Sequence, residues 1–160
     1  MRFNEIAAAR AAHAAGISPE IVYSANGIFI INGSSGVSGL TISSNTIQNG
    51  TNGIRFYGPY GGSGNITTVA IQNNTLTGST VGILVGNDST VQPSNFTISN
   101  NNFLGNTTGL NNQHASETVD ASGNWWNSAN GPSITSNTFN QGSQGDSITG
   151  SVTYAPWLDA

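Results

Sequence analysis

The chain has 160 residues and a net charge of −4, with only 6% charged side chains and no lysine. Charge this sparse excludes a phosphate-tracking nucleic-acid surface, which needs a basic stripe, and the length is that of one domain. The absence of cysteine removes disulfides and thiolate metal sites, and no run approaches the roughly 20 apolar residues that span a bilayer.

The first segment, 1–24, opens on "MRFNEIAAARAAHAAGI", where Glu5, Arg10 and His13 interrupt the alanines. It reads neither as a membrane span nor as an ordinary signal peptide. Alanine propensity predicts a short helix over 4–15, with Asn4 as N-cap and Gly16 and Pro19 marking the stop. Such a helix either lies over the first coil or docks on a neighbouring subunit.

Residues 25–126 repeat one unit: "GLTISSNTIQNGTNGIRF" from 39, "TVAIQNNTLTGSTVGILV" from 68, "NFTISNNNFLGNTTGLNN" from 95 and a shorter "TVDASGNWWNSANG" from 118. In each copy an apolar-x-apolar pair (Leu40/Ile42, Val69/Ile71, Phe96/Ile98, Val119/Ala121) precedes an asparagine: Asn45, Asn74, Asn101 or Asn124. Two places on stands a large apolar residue, Ile47, Leu76, Phe103 or Trp126. Gly-apolar pairs follow at Gly53, Gly82 and Gly109, and Gly27 reads as the same element of a preceding partial copy. A period in the twenties with alternating apolar residues predicts a solenoid of strands. The asparagines are expected to make the bends in left-handed backbone and to hydrogen-bond their counterparts above and below.

These copies resemble the coils of right-handed parallel β-helix proteins of the pectate-lyase-like group, which includes many bacterial and archaeal surface proteins. The expected fold is therefore all-β, a right-handed parallel β-helix of about four coils with the N-terminal helix and a Trp-rich C-terminal cap. The segment 127–160, with "NGP" and a final "APWL", resembles the closing segment of such surface proteins. There Trp126 and Trp157 are expected to cover the last coil, with Trp125 facing outward.

The enzymes in that group imply clustered carboxylates and several basic groups, because one carboxyl protonates a leaving oxygen while another activates water. Asp88, Glu117 and Asp120 are the coil acids, with Asp146 nearer the end, Arg55 is the only basic residue within the coils, and each reads best as a solvated surface charge. His114 and Glu117 could meet Asp120 across a loop as a weak metal or acid-base site, although such spacing is common by chance. No cofactor and no metal is implied. Tyr57 and Tyr60 in "FYGPYGGSG", with Trp125, are the candidate glycan-binding or partner-binding side chains. Seven sequons stand at Asn32, Asn49, Asn65, Asn73, Asn87, Asn95 and Asn106, where glycosylation depends on the host.

The expected function is a non-catalytic extracellular or cell-surface module, structural or adhesive, that associates with itself into oligomers or filaments. The alternatives are a carbohydrate-active enzyme fragment, lyase or hydrolase, and a glycan-binding module without turnover.

Overall fold

The computed structural model describes residues 20–22, 26–58 and 63–159, so the helix expected over 4–15 and Tyr60 lie outside the described residues. The period-two segments form three parallel sheets, visited in rotation by the chain. The first sheet contains β1 (Glu20–Val22), β4 (Thr46–Gln48), β7 (Thr75–Thr77) and β10 (Asn102–Leu104). The second contains β2 (Asn26–Ile31), β5 (Asn52–Tyr57), β8 (Val81–Val85), β11 (Thr108–Asn112) and β13 (Ser147–Thr149). The third contains β3 (Val37–Ser43), β6 (Ile66–Gln72), β9 (Phe96–Ser99), β12 (Val119–Asp120) and β14 (Val152–Thr153). Each strand pairs with its counterpart one turn away, which makes the molecule an all-β parallel solenoid of about four coils.

In-register pairing places like on like along the interior. Ile42, Ile71 and Ile98 form one column, Ile47, Leu76 and Phe103 a second, and Ile54, Ile83 and Leu110 a third. All nine are buried. Strands roughly 4.8 Å apart let identical branched side chains nest without voids. Phe56 and Phe96 meet in the same core with centroids 4.9 Å apart.

An amide ladder runs beside these columns. The Asn45 backbone N–H and Nδ2 both donate to Asn74 Oδ1 at 3.0 and 2.9 Å, Asn74 does the same to Asn101, and Asn101 to Asn124. The spare amide hydrogens reach Ile42, Ile71 and Ile98 carbonyls of the preceding turn. Every rung therefore satisfies buried polar groups that would otherwise be costly.

The expectation that these asparagines bend the chain in left-handed backbone is corrected. The left-handed position is one residue earlier, at Ser44, Asn73, Asn100 and Gly123, with φ of 58°, 58°, 57° and 69°. The preceding residue turns the chain, and the amide of the next is thereby aimed along the stack. The glycine column has a different cause: a Cβ on Gly53 or Gly82 would lie 2.5 Å from the carbonyl oxygen of Gly82 or Gly109, the next glycine in the stack.

At the C-terminal end Trp126 is fully buried and stacks on Phe103, centroids 4.4 Å apart and planes 5° from parallel. Trp157 lies against Gly131 and donates its Nε1–H to the Ala129 carbonyl at 3.1 Å. Between these rings the 128–144 loop is knotted by side-chain amides: Asn137 donates to Asn130 and Pro132 carbonyls, and Gln144 to those of Asn137 and Phe139. Ser133 bridges to Ser147 on the outer side of β13.

Candidate functional site

Among the described residues, three places gather ionisable or framed charged side chains. At one corner, the loops after β8 and β11 bring Asp88, Ser94, His114 and Glu117 into one neighbourhood. Glu117 Oε2 accepts the Ser94 hydroxyl at 2.7 Å and its N–H at 3.0 Å, while His114 Nδ1 accepts the Glu117 N–H at 3.2 Å. Asp88 Oδ1 accepts the hydroxyl and N–H of Thr90 at 2.5 and 2.9 Å. The Thr90 and Ser94 hydroxyls, then their N–H groups, hold Asp88 and Glu117 below the usual carboxylate range, and His114 adds a lesser attraction to both.

Asp120, which the sequence leaves able to meet His114 and Glu117, does not: it faces out from β12 in register with Thr97, and its Oδ1 accepts from the Ser122 N–H and hydroxyl. A strand position fixes its direction, whereas His114 and Glu117 ride on a loop that turns toward η1 (Pro93–Asn95). Asp88 and Glu117 are ionised near neutrality and bonded to hydroxyls, which is the reverse of what a proton-donating acid requires. Among the described residues no group of three His, Cys, Asp or Glu side chains could hold a metal ion.

Asp146, read from sequence as a surface charge, is instead buried. Its carboxylate accepts the Gly105 N–H at 3.0 Å, the Asn106 N–H at 2.8 Å and Asn106 Nδ2 at 2.8 Å. It terminates a second ladder, in which Gly50 N–H donates to Ser79 Oγ and Ser79 N–H to Asn106 Oδ1. Burial pushes its carboxyl up, against the pull of the donors. The signal was present in the sequence: Gly78-Ser79-Thr80, Gly105-Asn106-Thr107 and Gly145-Asp146-Ser147 share one pattern. An insertion of the 128–144 loop separates the third copy from the others.

The outward face of the second sheet holds the third place. Phe29, Arg55 and Leu84 stand in register on β2, β5 and β8, next to the Ile31 and Tyr57 pair. The Arg55 guanidinium carbon lies 4.8 Å from the Tyr57 ring centroid and 5.3 Å from that of Phe29. Its Nε is buried with no hydrogen-bond partner, so Arg55, expected as a solvated surface charge, is a half-buried cation framed by two rings. Tyr57 itself is half-buried as the last residue of β5.

Trp125 is also half-buried and extends the first sheet, pairing with Asn102. It thereby ends an outward row of Thr46, Thr75 and Asn102. Of the sequons, Asn49, Asn65, Asn73, Asn87 and Asn95 are exposed. Asn32 and Asn106 are buried, with Nδ2 donating to Gly64 O and Thr90 Oγ1 in the first and to Leu76 O and Asp146 in the second. A glycan on either would require the fold to open. Among the described residues no helix is long and apolar enough to cross a membrane.

The chain matches no protein-family model, no curated protein and no solved structure.

Proposed function

We propose that the chain is a non-catalytic structural or adhesive solenoid module that works outside the cell or at its surface and associates with copies of itself. The observation that carries this reading is the disposition of side chains. Asp88, Glu117, Asp120 and Asp146 and the ladder amides are committed to holding loops and ladders, whereas the large apolar side chains left in water among the described residues, Phe139 and Leu158, sit beside Trp157 and Tyr154 at the C-terminal end. Trp126 and Trp157 close the interior at that end, and the remaining exposed apolar surface favours a contact with another copy. Sedimentation velocity over a range of concentrations tests this: mass must rise with concentration, and a constant monomer that binds neither cells nor glycans sinks the reading.

A second reading, a glycan-binding module, draws on Trp125 at the end of a hydroxyl- and amide-bearing row, a flat polar surface with one ring for a sugar to stack on. Glycan binding that weakens in Trp125→Ala supports it. Turnover of an acidic polysaccharide, abolished by Glu117→Gln or Asp120→Asn, would overturn both readings in favour of an enzyme.

A further inference from the structure

Arg55 is the one guanidinium among the described residues, and it forms no hydrogen bond or ion pair with any of them. Its partners are the faces of Phe29 and Tyr57, with Leu84 in register alongside and only 9% exposed. Stacking of this kind fixes the guanidinium plane and lowers its hydration while leaving its terminal N–H groups directed away from the rings. A site so built takes a carboxylate flanked by apolar surface, because both the charge and the frame are then matched.

The chain carries the complementary feature elsewhere. Asp88, Glu117, Asp120 and Asp146 each accept hydrogen bonds from neighbouring groups. Asp159 is exposed and bonded to no described residue. It follows Leu158, one of two large apolar side chains exposed among the described residues, at 40%. The Leu158 N–H is tied to the Asn124 carbonyl at 2.9 Å, at the C-terminal end of the ladder. Arg55 stands in β5, with β8, β11 and β13 between it and that end of the second sheet. The two features therefore belong to different regions of the surface.

We propose that the Phe29–Arg55–Tyr57 face is docked by Leu158 and Asp159 of a second copy, the carboxylate meeting Arg55 and the leucine meeting the apolar frame. The proposal rests on the self-association reading and names its contact. The contact is heterologous, end against flank, so it leaves a free face on each copy and builds chains unless the rotation closes.

Charge exchange tests it. In sedimentation velocity, Arg55→Asp and Asp159→Arg should each associate at least tenfold more weakly than the wild type. An equimolar mixture of the two variants should recover association, because every mixed junction pairs opposite charges and every like junction repels. Circular dichroism checks the fold of each variant. Where Arg55→Asp does not fold, Arg55→Gln replaces it, and weakened association of both Arg55→Gln and Asp159→Arg, screened further by salt, is the supporting result. Wild-type association that persists in either single variant, or a mixture that stays apart, overturns this contact while leaving self-association standing. A wild type that is monomeric at all concentrations overturns both.

Discussion

At the scale of single residues, the fold is held by asparagines that hydrogen-bond to neighbours one turn away and to the backbone of their own turn. Asn101 is the clearest case, since it accepts two bonds from Asn74 and donates to Asn124, Ile71 and Ser99. Replacing it by alanine strands the Asn74 N–H and amide in the interior at about 1–3 kcal/mol for each unsatisfied group. Asn101→Ala should therefore lose about 3 kcal/mol in urea unfolding, while Asn100→Gly next to it should change little because its φ of 57° suits glycine. Asp146 gives a pH prediction. Burial raises its carboxyl in the folded state, so the folded chain holds that proton to higher pH than the unfolded one. Its contribution is present in full below the unfolded pKa and is lost as pH rises through the folded one. The stability of the wild type relative to Asp146→Asn should accordingly fall as pH rises from the ordinary carboxylate range through the raised folded-state value. A difference that rises with pH would show that the donors outweigh burial.

At the scale of elements, strand spacing and glycine placement act together. Gly82 begins the apolar stretch of β8 where the chain turns from the first sheet into the second, and a Cβ there would meet the Gly109 carbonyl at 2.5 Å and Phe103 at 3.1 Å. The carbonyl is backbone and cannot step aside, so Gly82→Ala should destabilise by about 1–3 kcal/mol, read by thermal unfolding. Gly105, with open space around it, tests a different cost: Gly105→Ala should be strained only through its φ of 70°. The inward and outward assignments of these strands were legible because alternation is a local signal. Ile54 and Phe56 face in and Arg55 faces out whatever the loops do. The partners of Arg55 were not legible, since they depend on which residues of β2 fall beside it, and the repeat weakens toward that end of the sequence. The left-handed residue was misplaced by one for a related reason: a recurring Asn marks either a bend or a ladder, and spacing alone does not separate them.

At the scale of the whole molecule, an interior of stacked apolar columns is flanked by two polar ladders that run the same way along it. The long 128–144 loop hides Asp146 from a reading by repeats, because the strand that follows it, β13, returns to the stack after a much longer excursion than its predecessors. Function was the least legible part: outward Thr, Asn and Ser rows carry no reactive chemistry that would name a partner, and the framed Arg55 arises only once three strands are in place. What all of this depends on is the ladder. Hydrogen exchange followed by NMR on the labelled chain measures it directly. The backbone N–H groups of Asn74 and Asn101, bonded to the side chain of the next turn at 3.0 and 2.9 Å, should exchange among the slowest in the molecule. Exchange of these two amides as fast as that of an exposed loop residue such as Ser89 would contradict it.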